Sequence, residues 1–236
     1  MNNYKNLIVK NISKSIIEVT LNDPDRHNAL SPEMIFDIDS CFERIDQNDN
    51  IKIIILTSRG KSFCAGGDLK WMKNQFSVDR ETRIVEAKKL ASMLNKLFYT
   101  NKVIIGKIQG NAFGGGIGLI AICDIVIASN DIKFALTETR LGLIPATISP
   151  YVIRKIGEKN CVDLFTSARA INSIEALKVG LVDYIVKKNQ LENKLADILA
   201  PYKLTAPKAV NNSKKLVKKL TNIIDQNKIN YTIEAL

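Results

Sequence analysis

The sequence contains few residues of the kinds that bind metal ions or form crosslinks. Its 236 residues include a single histidine, His27, and the cysteines form no CxxC pair. Because the usual zinc sites combine clustered histidine and cysteine ligands, this composition excludes a His-based zinc site, and we expect no bound metal. We interpret the cysteines as reduced thiols in a cytosol-like compartment; they are Cys41, Cys64, Cys123 and Cys161.

Long uninterrupted apolar stretches are also missing. The first 16 residues, MNNYKNLIVKNISKSI, have no extended apolar run behind their charges. No uncharged apolar segment reaches the roughly 18 residues that a membrane span requires. We therefore expect a soluble, cytoplasmic protein that is not exported and has no membrane partner.

The net charge of +10 raises the question of an anionic partner. Half of this excess lies in the lysine-rich residues 201–236. A positive field attracts phosphates at long range, but its sign does not distinguish a nucleic acid from a phosphate-bearing cofactor. That distinction depends on the motifs.

Strand and helix patterns alternate through the first 150 residues. IKIIILTS, KVIIGKIQG and DIVIAS are typical of strands buried on both faces, and SPEMIFDIDSCFERIDQ begins with a serine cap followed by Pro32. This alternation predicts an α/β fold with parallel crossover connections. From residue 152 onward the pattern is mainly helical, and we find no internal repeat. We expect one folded unit with a helical C-terminal extension.

Two glycine-rich loops each follow a predicted buried strand: SFCAGGDLKWM at 62–72 and AFGGGIG at 112–118. Glycine allows close approach of a ligand and leaves backbone N–H groups pointing outward, especially where a helix begins. Two such loops can aim two amides at one oxygen and form an oxyanion hole. Two tight packing turns are the alternative, whereas the spacing matches neither a Walker nor a Rossmann phosphate loop.

Four motifs together resemble the enoyl-CoA hydratase/isomerase (crotonase) superfamily over essentially the whole chain: LNDPDRHNALSPEM, SFCAGGDLKWM, GNAFGGGIGLIAICDIVIAS and FALTETRLGLIPATISPYV. They are most similar to a bacterial subgroup of methylglutaconyl-CoA and short-chain enoyl-CoA hydratase-like proteins. The resemblance implies a spiral of ββα units that binds acyl-CoA in residues 1–190. It also implies a helical region in residues 191–236 that forms a homotrimer or hexamer.

The resemblance implies a catalytic role for three residues. The amides of Gly67 and Gly115 would form the oxyanion hole for the thioester. Glu138, in LTETRLG, would exchange a proton with the substrate, and nearby leucines would tune the pKa of its carboxyl group. Without the resemblance, Glu138 would be read as a surface residue in a loop.

The resemblance also implies which residues bind the substrate. Coenzyme A enters as part of the substrate, with no prosthetic group, and its binding segments contain Arg26, Asn28, Ala29, Ala65, Asp68, Leu69 and Lys70. His27 lies in the first of these segments and is expected to be exposed and non-catalytic. The acyl pocket is expected to contain Trp71, Phe113, Gly118 and Arg140. Arg140 could contact a second carboxylate of a dicarboxylic acyl group, although a structural salt bridge is the alternative.

Gly118 departs from the pattern of two-glutamate hydratases, which carry their other acid at this position. Glycine cannot transfer a proton. Either Glu138 alone activates the water, another group substitutes for the missing acid, or the reaction is not hydration.

The leading hypothesis is therefore hydration of a short-chain or branched 2-enoyl-CoA, with methylglutaconyl-CoA among the candidates. A Δ3,Δ2-enoyl-CoA isomerase that uses one glutamate is the alternative within enzymes, and a non-catalytic acyl-CoA-binding homologue is another. RNA binding would use a lysine-rich helix face that lacks interleaved aromatic residues, so a nucleic-acid partner is not expected; its residues are Lys214, Lys215, Lys218 and Lys219. Apolar residues at helical spacing in the same region suit oligomer packing: Leu216, Leu220, Ile223 and Ile224.

Overall fold

A computed structural model describes residues 4–75, 77–221 and 226–234. It begins with two antiparallel strands, β1 (Leu7–Ser13) and β2 (Ile16–Leu21), and continues to helix α1 (Pro32–Asp46). The Ser31 hydroxyl accepts a hydrogen bond from the Met34 backbone N–H at 3.2 Å, so α1 begins at the predicted serine cap.

A six-stranded sheet forms the centre of the molecule. Its order is β1-β2-β3-β5-β7-β10, and every pair after the first is parallel. The added strands are β3 (Ile53–Ser58), β5 (Val103–Ile108), β7 (Ile125–Ser129) and β10 (Tyr184–Val186). All residues of β3 and β5 are buried, as the unbroken apolar runs predict for strands covered on both faces.

A second sheet of shorter strands lies in the order β4-β6-β8-β9. These strands are β4 (Ser62–Cys64), β6 (Asn111–Phe113), β8 (Lys133–Ala135) and β9 (Ile171–Asn172). After β4 come α2 (Leu69–Gln75) and α3 (Arg80–Tyr99), and after β6 comes α4 (Gly115–Ala121). A long strand, a short strand and a helix thus recur along the chain, which confirms the predicted α/β fold of ββα units.

The remaining helices are α5 (Ser149–Ile156), α6 (Glu158–Ser167), α7 (Ser173–Lys178), α8 (Leu191–Leu199), α9 (Pro207–Leu220) and α10 (Gln226–Glu234). Leu191 and Leu195 of α8 pack into an apolar cluster with Ile53 and Ile105 on one face of the six-stranded sheet. The C-terminal region therefore covers the core of its own chain. A boundary at residue 190 and a role in oligomerisation stay predictions.

On α9, Leu216 and Leu220 are exposed in the single chain. Residues that pack between subunits are expected to be exposed in this way. Ile223 and Ile224, the other two residues predicted to take part in oligomer packing, lie outside the described residues.

The four cysteines are buried and unpaired. Burial raises the pKa of the Cys64 and Cys123 thiols to about 12, so neither is a reactive thiolate near neutral pH. Across residues 4–75, 77–221 and 226–234, no helix combines the length and apolarity needed to cross a bilayer.

Two of the lysines proposed for RNA binding point toward the protein. The Lys214 ammonium lies 2.5 Å from a carboxylate oxygen of Asp124 and donates to the Lys102 carbonyl at 2.7 Å. The Lys218 ammonium lies 3.3 Å from the centre of the Phe98 ring. The four lysines therefore do not form one solvent-facing surface, which weakens the RNA-binding alternative.

Replacing Lys214 by methionine should destabilise the protein by about 2 kcal/mol, because the variant leaves the partly buried Asp124 carboxylate without its cation. Thermal unfolding measures the loss. Lys215→Met is the matched control, since Lys215 is exposed on the same helix. Equal melting temperatures for the two variants would contradict a structural role for this ion pair.

Candidate active site

The two glycine-rich loops lie against each other. Gly66 has φ +93°, and a Cβ atom there would lie 3.0 Å from the Phe113 carbonyl oxygen and 3.5 Å from the Gly115 nitrogen. A side chain at residue 66 would therefore be strained and would also push the loops apart. Leu30 pairs with Gly67 in an isolated parallel bridge, which fixes the first loop beside the start of α1.

The backbone N–H groups of Gly67 and Gly115 are free to bind a ligand. Within the described residues, neither N–H donates to a carbonyl or a side chain. Gly115 is the first residue of α4, where a helix leaves its N–H groups without internal partners. Both glycines line one cavity, so the expected pair of oxyanion donors faces a common space.

This cavity has a volume of about 200 Å³. Leu30, Gly67, Gly115 and Glu138 line it together with residues of α2, α3 and the segment 143–148. Most of these side chains are apolar, and they include Trp71, which the resemblance assigns to the acyl pocket. The lining suits an acyl group more than a charged metabolite.

Glu138 begins a short 3-10 turn, Glu138–Leu141, three residues after the end of β8. One of its carboxyl oxygens, Oε2, is buried and has no hydrogen-bond partner among the described residues. Burial raises the pKa of the Glu138 carboxyl above its ordinary value, because the anion loses solvation and no cation compensates. The group is therefore suited to hold and transfer a proton.

The two segments expected to bind coenzyme A are joined by backbone hydrogen bonds. The Ala65 N–H donates to the His27 carbonyl at 3.0 Å, and the Leu30 N–H donates to the Gly66 carbonyl at 2.7 Å. Arg26 lies 3.7 Å from Asp68, whose other carboxylate oxygen accepts from the Trp71 N–H. These contacts place the predicted segments side by side at the oxyanion loop.

Asn28 holds the first segment in place through its side chain. Its amide nitrogen donates to the carbonyls of Arg59 and Ser62 at 2.8 and 3.0 Å, and its amide oxygen accepts from the Asp23 N–H at 2.8 Å. The side chain is fully buried. The sequence predicts a role only for the Asn28 backbone. The side-chain hydrogen bonds reach residues more than 30 positions away, and no local pattern indicates such partners.

The other predicted residues of these segments are located as follows. Leu69 and Lys70 are exposed at the start of α2, and Ala29 is buried behind the loop. His27 is exposed, as expected, with Nδ1 3.1 Å from the Ser62 hydroxyl.

Three residues predicted for the acyl pocket are not among the described residues that line the cavity: Phe113, Gly118 and Arg140. Phe113 is half-buried in β6. The Arg140 guanidinium donates to the Ala168 carbonyl at 2.6 Å, so the arginine supports the fold instead of facing the acyl group. Arg83 and Glu86 of α3 line the cavity instead. The sequence reading missed them, since a charged helix face is usually solvated.

Gly118 lies behind the cavity wall, where it makes room for Ile148. A Cβ atom at residue 118 would lie 2.4 Å from Ile148 Cγ2 and 3.0 Å from Ile148 Cβ. Ile148 itself lines the cavity. An apolar side chain therefore occupies the space beside the position where two-glutamate hydratases carry their other acid.

Gly118→Ala should lower the free energy of unfolding by about 1–3 kcal/mol, because the added methyl group overlaps Ile148. Chemical denaturation measures the change. When Ile148→Ala is added, the double variant should lose less stability than the sum of the two single losses, since it lacks the clashing Cγ2 atom. A double variant whose destabilisation equals the sum of the two single effects would show that the two positions do not compete for space.

Comparison with known proteins covers almost the whole chain. The enoyl-CoA hydratase/isomerase family model matches residues 11–234. The short-chain-enoyl-CoA hydratase of Clostridium acetobutylicum is 32% identical over 218 residues, which are 90% of this chain and 80% of that protein. The peroxisomal Delta(3,5)-Delta(2,4)-dienoyl-CoA isomerase of Arabidopsis thaliana is 29% identical over 230 residues, 92% of this chain and 83% of that protein.

A solved structure shows the same fold. An enoyl-CoA hydratase from Shewanella pealeana superimposes with a TM-score of 0.88 at 32% sequence identity, covering 98% of this chain and 86% of that one. The ββα architecture, the paired glycine loops and the matched family model all support the same family assignment. The chain belongs to the enoyl-CoA hydratase/isomerase family, which acts on CoA-linked substrates.

Proposed function

We propose that this protein adds water to the double bond of a short-chain or branched 2-enoyl-CoA. One observation carries the proposal: the half-buried Glu138, whose carboxyl oxygen Oε2 is buried without a hydrogen-bond partner among the described residues, shares a cavity with two unoccupied backbone donors, Gly67 and Gly115. A general acid beside an oxyanion hole is the pairing that enolate chemistry at a thioester requires.

The thioester oxygen accepts hydrogen bonds from the Gly67 and Gly115 N–H groups. As the oxygen of water bonds to C3, the electrons of the double bond move toward the thioester oxygen, and both donors stabilise the resulting enolate. Each donor of such a site contributes about 3–4 kcal/mol of transition-state stabilisation. Glu138 then delivers its proton to C2, and the thioester carbonyl is restored.

The cavity has room for a small acyl group. A cavity of roughly 150 Å³ is large enough for benzene, so a cavity of about 200 Å³ accepts an acyl group of about four to six carbons. Straight-chain crotonyl-CoA and branched 3-methylglutaconyl-CoA both fall in this range. The positive net charge of the chain suits the phosphates of coenzyme A.

The second candidate is isomerisation of a 3-enoyl-CoA, with Glu138 moving one proton along the chain. Ile148 favours this reaction, because it fills the space beside residue 118 and removes that position as a source of a second acid. The similarity to a dienoyl-CoA isomerase is consistent with it.

Assembly into a trimer or hexamer is part of the proposal. The exposed apolar residues Leu216, Val217 and Leu220 of α9 support it. Burying such a row against a second subunit removes apolar surface from water.

The purified protein should consume crotonyl-CoA or 3-methylglutaconyl-CoA, which is followed by the loss of enoyl absorbance and by identification of the 3-hydroxy product. Glu138→Gln should lower kcat by about 100-fold or more, because the amide cannot supply the proton. Glu158→Gln is the control, since Glu158 is exposed on α6. Failure to turn over either substrate would reject hydration, and a 2-enoyl product from a 3-enoyl-CoA would support isomerisation.

Hydration should also decline with rising pH. The reaction uses protonated Glu138, and burial raises the pKa of this carboxyl, so the protonated form persists to higher pH than for an exposed glutamate and is lost above that pKa. Measuring kcat/KM against pH should show a basic limb. If the Glu138→Gln variant keeps an unchanged basic limb in its residual activity, the limb belongs to another group.

A further inference from the structure

Helix α3 presents a second carboxylate to the cavity. Of the described residues that line it, Glu86 and Glu138 are the two that carry a carboxyl group. Glu86 comes from α3, far from Glu138 in the sequence, so the two acids reach the cavity from different elements. Glu86 and Glu138 are therefore candidates for two separate proton transfers to and from one substrate.

Helix α4 supplies no second acid. Residue 118 is a glycine, and a side chain there would collide with Ile148. Adding water takes a proton from the water and gives a proton to C2, and two groups can divide these transfers. If Glu138 is the donor and a second group is the acceptor, that acceptor comes from another part of the lining.

The two carboxyl groups have opposite surroundings. Glu86 forms an ion pair with Lys89 one turn later, with 2.6 Å between Nζ and Oε1. Lys89 is its single donor among the described residues, so Oε2 remains available to a water molecule. Glu138, in contrast, has no ion-pair partner among the described residues, and its Oε2 is buried without a hydrogen bond. Different environments for two carboxyl groups are how one site holds both an acid and a base.

We propose that Glu86 is the general base that activates water in this cavity, and this inference rests on the proposed hydration. Glu86 takes one proton from water as the water oxygen bonds to C3. The electrons of the C2–C3 double bond move to the thioester oxygen, which the Gly67 and Gly115 N–H groups hold. Glu138 gives its proton to C2, so one water is added. Solvent then returns a proton to Glu138 and removes one from Glu86.

The test uses two variants at residue 86 and one matched control. Glu86→Gln keeps the shape but cannot accept the proton, so kcat for crotonyl-CoA hydration should fall about 100-fold or more with little change in KM. Glu86→Asp keeps the carboxylate and should recover part of the rate. Glu81→Gln, an exposed glutamate on the same helix, should behave like the unaltered protein. Circular dichroism verifies that each variant is folded.

A second measurement separates the two proton transfers. Exchange of the α-hydrogens of butyryl-CoA with deuterium oxide, followed by proton NMR, needs the oxyanion hole and Glu138 but no attack by water. This exchange should persist in Glu86→Gln and disappear in Glu138→Gln. A structural role for Glu86 would not divide the two reactions in this way.

The outcomes separate this inference from the proposed function. If Glu86→Gln hydrates crotonyl-CoA at the unaltered rate while Glu138→Gln does not, Glu86 is not the base and hydration still stands. If Glu86→Gln loses hydration and α-hydrogen exchange together, the assignment to water activation is wrong. If the unaltered protein hydrates neither crotonyl-CoA nor 3-methylglutaconyl-CoA, both proposals fail.

Discussion

The close contact between the two glycine loops determines the geometry of the candidate site. Gly66 has a positive φ and leaves no room for a Cβ atom against the Phe113 carbonyl. Since the first loop continues to Gly67 and the second to Gly115, this contact sets where both free N–H groups face. The bridge between Leu30 and Gly67 joins the same contact to the start of α1. The proposed oxyanion donors and the segments proposed to bind coenzyme A thus depend on one close approach of two backbone loops.

The cavity is lined by the two glycine loops and by side chains from separate parts of the chain. Glu138 follows a short strand of the second sheet, whereas Glu86 lies on α3. In the proposed function, the glycine N–H groups bind the thioester, which is common to all acyl-CoA substrates, and the carboxyl groups determine which carbon of the acyl chain exchanges a proton. Such a division is consistent with related proteins named as hydratases and as isomerases.

Local motifs predicted the parts of the site that depend on local backbone. Gly67 and Gly115 lie in glycine-rich loops after strands, and Glu138 lies in a segment that resembles the family motif, so the sequence predicts all three as site residues, and all three line one cavity. The contacts of Asn28 and the position of Glu86 depend on distant segments meeting, and no local pattern encodes them. For Arg140 the local pattern is misleading. Its residue type and its spacing from Glu138 suit a contact with a substrate carboxylate, but its guanidinium donates to the Ala168 carbonyl. Tertiary packing determines the contacts of Asn28, Glu86 and Arg140.

The packing of Ile148 over Gly118 also constrains how this sequence can change over time. An acidic residue at 118 would overlap Ile148, and a smaller residue at 148 would leave a gap against the glycine. Each single substitution therefore carries a stability penalty that the second one relieves. The two positions are epistatic, and an evolutionary path to a two-acid site must pass through a destabilised intermediate.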